Sequence, residues 1–155
     1  MKVVEPVASP VPRPLVLYVE DEAANWEVTE LQLRRKYQLL WARTDEEACA
    51  LLRQYGPQLH AVLLDVQLQG SELDGLALAR LIRGRALEVM PAYARDLPPL
   101  ECPVFFVTAF GRLYPAERLR EAGGDASVPK PVDFVKLTML LTQTGLRRAL
   151  ERSSR

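Results

Sequence analysis

Five short apolar runs alternate along the chain with segments whose apolar residues recur every three or four positions. The runs span residues 16–19, 37–41, 61–64, 104–107 and 126–129. Runs of this length are typical of buried strands, and the intervening spacing is typical of amphipathic helices. Regular alternation of strand and helix favours a parallel, doubly wound sheet with right-handed crossovers. The pattern therefore predicts an α/β fold with five parallel strands and five helices on both faces of the sheet.

Capping signals support the predicted helices. Thr44 with Glu47 three residues later forms a capping box, Gly56-Pro57 ends that helix, and Asp133 caps the fifth helix. The apolar positions that mark the five helices are Ala24, Val28 and Leu31; Ala48, Leu51, Leu52 and Tyr55; Leu78, Leu81 and Ile82; Ala116, Leu119 and Ala122; and Phe134, Leu137, Leu140 and Leu141.

Residues 84–101 are longer than an ordinary connection between a helix and a strand and contain three prolines. We expect this insertion to extend the third helix and then form a surface loop. The segment can be an insertion without a function, because closing a long surface loop costs little conformational entropy. It also fits a partner-docking element that uses Met90, Tyr93 and Leu97.

The chain of 155 residues is long enough for one domain with a single core. We expect a proline-rich arm or docking tail over residues 1–14 and a domain over residues 15–146. Residues 147–155 would form the end of the last helix or a tail.

Charge and cysteine content narrow the class of protein. Basic and acidic residues number 20 each. The sequence has no long basic stripe, so direct contact with nucleic acid is not expected. No apolar run reaches the ~18 residues of a membrane span. Two cysteines without a CxxC motif and a single histidine, His60, leave no zinc cluster to build. We expect a reduced, cytoplasmic protein.

Polar residues follow the ends of four predicted strands. Glu20-Asp21 follows the first, Asp65 the third, Thr108 the fourth and Lys130 the fifth. Because the carboxyl ends of parallel strands lie at one edge of a sheet, these side chains are expected to converge. Carboxylates, a hydroxyl and an ammonium suit a hard cation and a phosphoryl group, with Asp65 as the acceptor.

Simpler interpretations exist for single residues. The acidic residues after the first strand also suit a helix N-terminus, and Thr108 alone is an ordinary β-branched strand residue. His60 lies at the opposite end of the Asp65 strand, so we interpret it as a surface or capping histidine rather than a phosphoryl carrier. Trp26 and Trp41 are interpreted as core or partial-core residues.

Together, these motifs resemble the receiver domain of two-component response regulators over about residues 15–141. The residues that carry the resemblance are Glu20-Asp21, Leu63-Leu64-Asp65-Val66-Gln67-Leu68, Asp74-Gly75, Thr108-Ala109 and Lys130-Pro131. The family implies a flavodoxin-like sheet with strand order 2-1-3-4-5. Each motif alone is weak, but their order along the chain makes the resemblance specific.

The resemblance also implies a magnesium site. Three carboxylates in one pocket repel each other by about 4 kcal/mol per pair at about 4 Å and an effective dielectric constant near 20, and a divalent cation relieves this repulsion. In the family, Asp21 and Asp65 would bind Mg²⁺ directly, Glu20 through water, and Gln67 through its backbone carbonyl.

The same resemblance implies phosphoryl transfer. Asp65 would accept a phosphoryl group from a phosphohistidine, and the Thr108 hydroxyl, the Ala109 amide and Lys130 would bind the phosphoryl oxygens. The expected protein is a phosphoacceptor signalling domain rather than a classical enzyme. Its expected partners are a sensor histidine kinase or histidine phosphotransfer protein and a downstream protein target, and a homodimer is compatible with the sequence.

Because the sequence ends soon after the fifth helix, we expect a stand-alone receiver whose output is protein binding. The family implies an output surface on the fourth helix, fifth strand and fifth helix, to which the insertion could contribute. One alternative is a receiver-like scaffold that signals without phosphate. Another is a small phosphatase with an aspartyl nucleophile, but such enzymes need a second aspartate where Gln67 lies.

Two positions bear on the response to phosphate. Receivers usually carry an aromatic residue three positions before the strand-end lysine, where this chain has Ser127. We therefore expect a changed response surface or a muted conformational shift. Phe110 and Gln67 flank the expected site, and Phe110 is expected to slow hydrolysis of the acyl phosphate by shielding it. An unchanged phosphoryl lifetime in Phe110→Ala would contradict that expectation.

Overall fold

A computed structural model describes residues 12–109 and 113–154. Within these residues, five parallel strands form one sheet in the order β2-β1-β3-β4-β5. The strands are β1 (Leu15–Val19), β2 (Gln38–Ala42), β3 (Leu59–Leu64), β4 (Val104–Thr108) and β5 (Ala126–Pro129). The predicted doubly wound architecture and its strand order are confirmed.

In the described part of the chain, five α-helices connect or follow the strands. They are α1 (Ala23–Leu33), α2 (Asp45–Tyr55), α3 (Gly75–Ile82), α4 (Ala116–Glu121) and α5 (Phe134–Ser153). The Thr44 hydroxyl accepts a hydrogen bond from the Glu47 amide at 3.2 Å, and Asp133 accepts one from the Lys136 amide at 3.0 Å. Both N-caps are present, and each satisfies a backbone amide that the first helical turn leaves without a partner. The second bond of the predicted capping box differs, because the Glu47 carboxylate accepts from the Arg43 amide at 2.6 Å instead of from the Thr44 amide.

The core has two layers because side chains of each strand alternate between the faces of the sheet. One face packs against α2, α3 and α4 and includes Leu17, Val19, Val62, Leu64 and Phe106. The other packs against α1 and α5 and includes Val16, Tyr18, Ala61, Leu63 and Phe105. Helices therefore cover both faces, as the alternation predicts.

Helix α1 buries a different face from the one that its apolar spacing marks. Val28 and Leu31 are 52% and 57% exposed, whereas Thr29 and Leu33 are buried. Trp26 explains part of the difference, because its ring stacks on Trp41 of β2 at a centroid distance of 5.2 Å. In a helix with apolar residues on more than one side, such long-range contacts decide which side faces the sheet.

The expected extension of the third helix into the insertion is wrong. Helix α3 ends at Ile82, and Gly84 has a φ angle of 74°, a left-handed conformation that favours glycine and ends a helix. Residues 84–101 then form a surface segment with one 3₁₀ turn over Ala92–Ala94.

The three insertion residues proposed for docking lie against the protein's own core. Met90, Tyr93 and Leu97 are half-buried and pack on the cluster that also contains α2 and α3. These side chains therefore cover apolar surface of this chain instead of forming a free docking face.

Both cysteines, Cys49 and Cys102, are free and buried. Among the described residues, no helix has the length and apolar character needed to cross a membrane.

Candidate functional site

Three carboxylates meet at the carboxyl edge of the sheet. Strands β1 and β3 pair in register at Val19 and Leu64, so Glu20-Asp21 and Asp65 leave the sheet side by side. The ligand oxygens of the three carboxylates lie within 4.8 Å of one another. Glu20 is 0% exposed and Asp65 is 6% exposed, so water can solvate these two charges only in part.

Lys130 partly balances this negative charge. Its ammonium donates to Asp65 Oδ2 at 2.7 Å and to Glu20 Oε1 and Oε2 at 2.9 and 3.1 Å. Lys130 directly follows β5, and its amide donates to the Thr108 carbonyl at the end of β4. A cis peptide bond joins it to Pro131. The end of β5 thus delivers a cation to carboxylates that follow β1 and β3.

The charges in the cluster shift two ionisation equilibria. Burial and the neighbouring Asp65 carboxylate raise the pKa of Glu20 to about 7, although Lys130 opposes the change. Burial alone would lower the pKa of Lys130, but its hydrogen bonds to Asp65 and Glu20 outweigh burial and raise it. Among the described residues, one ammonium therefore leaves three close carboxylates with excess negative charge, which favours binding of another cation.

Thr108 and Ala109 complete this edge on the β4 side. Thr108 is the last residue of β4, is 3% exposed and pairs in register with Pro129 of β5. The next residue, Ala109, is exposed and lines the cleft above the carboxylates. A backbone amide and a hydroxyl thus follow one another at the strand end beside Lys130.

The site opens to solvent through a cleft of about 250 Å³. Its lining residues are Asp21, Glu22, Asn25, Asp65, Gln67, Gln69, Ala109 and Lys130. The structure therefore brings five of the seven predicted site residues into one cleft. The other two, Glu20 and Thr108, are buried at the same sheet edge, where Glu20 contacts Lys130.

Three contributors to the site were missed at the sequence level. The Gln69 amide donates to Asp21 Oδ2 at 3.1 Å, and the Trp41 indole donates to the Glu20 carbonyl at 2.8 Å. Gly75 packs so closely that an added Cβ would lie 2.1 Å from the Asp65 carbonyl oxygen. A backbone amide has no residue signature, but the Asp74-Gly75 pair, one of the motifs of the family resemblance, was a signal for the close approach.

His60 lies outside the cleft, near the start of β3. Its Nε2 lies 3.0 Å from the Leu141 carbonyl oxygen, and its ring packs against Tyr37. Burial lowers the pKa of His60, with Arg148 and Arg152 acting in the same direction and the bond to Leu141 opposing them. His60 is therefore a half-buried residue that contacts a carbonyl within α5, and it does not cap a helix end.

Two further positions bear on the expected response. Ser127 lies in β5, half-buried, and lines a small cavity of about 60 Å³ between α4 and β5 together with Leu119 and Gly124. Phe110, predicted to shield the site, lies outside the described residues.

The family model of the response regulator receiver domain matches residues 16–142. The chain belongs to this family. Receiver domains are phosphoacceptor modules of two-component signalling, bind Mg²⁺ in the active site and interact with histidine kinases and downstream effectors.

Curated relatives agree with this assignment. The virulence sensor protein BvgS of Bordetella pertussis is 33% identical over 136 residues, which cover 87% of this receiver and 10% of BvgS. This receiver thus spans about a tenth of BvgS. The polar-differentiation response regulator DivK of Brucella ovis is 30% identical over 118 residues, which cover 76% of this receiver and 84% of DivK.

Solved structures share the fold. The receiver domain of NtrX from Brucella abortus has a TM-score of 0.65 and 25% identity, covering 83% of this chain and 96% of that one. The receiver domain of the sensor histidine kinase PA1611 from Pseudomonas aeruginosa PAO1 has a TM-score of 0.66 and 24% identity, covering 86% and 98%.

Proposed function

We propose that this receiver accepts a phosphoryl group on Asp65 from a partner's phosphohistidine, in a Mg²⁺-dependent reaction, and signals by binding another protein. The observation that carries the proposal is the Lys130 ammonium, hydrogen-bonded at once to Asp65 and Glu20 at the base of an anionic cleft. A half-buried cation on the acceptor carboxylate is suited to bind the oxygens of an incoming phosphoryl group.

The donor set fits Mg²⁺. Oxygen ligands are those that this hard cation prefers, and three carboxylates within 4.8 Å of one another exceed the charge that Lys130 balances. Asp21, Asp65 and the Gln67 carbonyl would hold the ion, and Glu20 would act through water. The solved receiver domain of PA1611 has a magnesium ion coordinated in its active site cleft. When bound, Mg²⁺ would neutralise negative charge on the phosphoryl oxygens.

The transfer needs little from the protein beyond position and charge. A carboxylate oxygen of Asp65 forms a bond to phosphorus as the bond from phosphorus to the donor's imidazole nitrogen breaks. The nitrogen keeps the electron pair of that bond. The Lys130 ammonium, the Thr108 hydroxyl and the Ala109 amide bind phosphoryl oxygens, and Asp65 becomes an acyl phosphate.

The output is expected to be protein binding with a restricted conformational change. Ser127 occupies the position where receivers usually carry an aromatic residue, and the cavity beside it is small. We therefore expect beryllofluoride, a phosphoryl mimic, to shift amide resonances mainly around the cleft. Shifts of similar size throughout α4 and β5 would contradict a muted response.

Incubation of the full chain with acetyl phosphate and Mg²⁺ tests the proposal. The intact mass should rise by one phosphoryl group, Asp65→Asn should abolish the gain, and the matched control His60→Gln should retain it. Absence of a gain in the unmodified chain would favour a scaffold that signals without phosphate. Repeated turnover of a phosphate ester would instead favour the aspartyl phosphatase.

A cytoplasmic location is part of the proposal. Both cysteines are free and buried, as expected for a protein in a reducing compartment.

A further inference from the structure

A second polar network lies outside the cleft, around Asp45 at the start of α2. Asp45 is 2% exposed, and its Oδ2 accepts hydrogen bonds from the Leu73 amide at 2.9 Å and from the Tyr93 hydroxyl. Its amide donates to the Ser71 hydroxyl at 2.9 Å. A buried carboxylate is costly unless it is well bonded, so these donors hold Asp45 strongly. The network joins α2, the β3–α3 loop (residues 66–74) and the insertion.

The insertion supplies Tyr93 in a fixed position. Arg53 of α2 donates to the carbonyls of Tyr93 and Arg95 at 3.2 and 2.9 Å, and the Tyr93 ring is half-buried against the core. Burial and the hydrogen bond to Asp45 raise the pKa of Tyr93, so its hydroxyl remains a donor at neutral pH. The insertion is thereby fastened to α2 through both the backbone and the side chain of Tyr93.

The loop that this network holds also contacts the cleft. Leu73 is bonded to Asp45, and Gln69, four residues earlier, donates its amide to the Asp21 carboxylate. The loop begins directly after Asp65, and the Gly75 amide donates to the Val66 carbonyl at 2.8 Å. Its residues are therefore restrained at both ends and at Leu73, which limits the positions open to the Gln69 amide.

We infer that Asp45 and Tyr93 are positioning residues of the cleft. By fixing the β3–α3 loop, they keep the Gln69 amide on Asp21, so that the Asp21 carboxylate is already oriented for a divalent cation. This inference rests on the proposed function, and it gives the insertion a role that family membership does not supply. Orientation before binding increases affinity because less conformational freedom is lost when the ion binds.

The test compares Tyr93→Phe with Tyr55→Phe in the full chain. Each variant removes only a phenol hydroxyl from a half-buried ring on the same core cluster, but only Tyr93 donates to Asp45. Trp41 donates to the Glu20 carbonyl, so tryptophan fluorescence can follow Mg²⁺ titration. Hydrogen exchange of the Gln69 and Leu73 amides reports on the order of the β3–α3 loop. It can be measured in the absence of Mg²⁺ and does not depend on phosphorylation.

Tyr93→Phe should raise the half-saturating Mg²⁺ concentration about threefold to tenfold. This is at or below the loss of affinity, ~10–100-fold, that follows when a group bonded directly to a metal ligand is removed. The phosphorylation rate at saturating Mg²⁺ should stay unchanged, and protection of the Gln69 and Leu73 amides should fall. Asp45→Asn should act in the same direction and at least as strongly.

Two outcomes overturn the inference in distinguishable ways. If the unmodified chain binds Mg²⁺ normally and Tyr93→Phe matches Tyr55→Phe in both Mg²⁺ half-saturation and Gln69 protection, only the positioning role is overturned. If the unmodified chain neither binds Mg²⁺ nor gains a phosphoryl group, the proposed function fails and the inference fails with it.

Discussion

Strand β3 carries a titratable side chain near each end, and the two ends have opposite surroundings. His60, near the start, is hydrogen-bonded to the Leu141 carbonyl and packed against Tyr37. Asp65, just past the end, lies among two other carboxylates and one ammonium. Both groups are at least partly shielded from water. Among the described residues, three carboxylates exceed one ammonium at the Asp65 end, whereas the charges that act on His60 are the cations Arg148 and Arg152. Cation binding is therefore expected at the Asp65 end.

The two ends of β3 differ because different elements of the fold lie beside them. At the His60 end, Arg148 of α5 donates to the Leu59 carbonyl at 3.1 Å, so a helix contacts the start of β3. At the Asp65 end, loops leave the strands and a cleft remains open. In a parallel sheet with helical crossovers, loops that follow the strands meet at one edge, which is the general location of ligand sites in such folds.

The largest effect should come from removing the cation at the Asp65 end. Lys130→Met should slow phosphorylation by acetyl phosphate by about 100-fold, similar to the loss of one fixed donor to a developing anion. Arg148→Met removes a cation from the His60 end and should leave the rate unchanged. Lys130→Arg should recover the rate in part only, because a planar guanidinium cannot reproduce the compact ammonium. Rates followed by intact mass measure all three, and equal rates for the two methionine variants would contradict the comparison.

Two glycines extend the comparison to packing. An added Cβ at Gly75 would lie 2.1 Å from the Asp65 carbonyl oxygen, so Gly75→Ala should destabilise the fold by about 3 kcal/mol. Gly145 lies in α5, where the nearest contact of an added Cβ is His60 Cε1 at 3.4 Å. Gly145→Ala should stabilise the fold by about 0.5 kcal/mol through helix propensity. Urea unfolding gives both values, and a neutral Gly75→Ala would refute the tight contact.

Mg²⁺ should stabilise the protein through the Asp65 end alone. At about ten times its dissociation constant, the ion should add about 1.4 kcal/mol to the free energy of unfolding. His60→Gln should keep this increment, whereas Asp21→Asn should lose most of it. Thermal unfolding with and without Mg²⁺ measures the increments. An equal increment in Asp21→Asn would place the ion elsewhere.

The smallest effect concerns His60 and pH. Burial lowers the pKa of His60, so below its ordinary pKa the unfolded chain binds a proton that the folded protein resists. The contribution of His60 to the free energy of unfolding is therefore fully present above about pH 6.5 and is lost as the pH drops toward the lowered pKa. Glu20, whose pKa is raised to about 7, titrates in the same range and acts in the opposite direction, so the His60 contribution is measured as a difference. Between about pH 7.5 and about pH 5.5, the urea midpoint of the unmodified chain should fall relative to that of His60→Gln. Identical slopes would show that His60 does not contribute.

The sequence predicted most of the fold because its signals were local. Strand runs and the Thr44 and Asp133 caps depend on residues a few positions apart. The predicted site residues could be found because strand ends in a parallel sheet share one edge. The strand order required the family resemblance, since periodicity does not determine which strands are neighbours.

Errors arose where distant contacts outweigh local pattern. The apolar spacing of α1 marks Val28 and Leu31, but stacking of Trp26 on Trp41 accompanies a different orientation of the helix. The third helix ends before the insertion because Gly84 turns the chain, and the Leu100 amide donates to the Ile82 carbonyl at 2.7 Å. No local pattern predicts that contact across 18 residues.

The sequence by itself determined the α/β class and the types of chemical group at each strand end, because side-chain identity and short-range periodicity are written in it. Tertiary structure decided how Lys130 is shared between Asp65 and Glu20, and how Asp45 and Tyr93 restrain the loop that bonds Asp21. These features depend on backbone amides and on residues far apart in the chain. Only folding brings such groups within hydrogen-bonding distance, and a backbone amide is the same in nearly every residue.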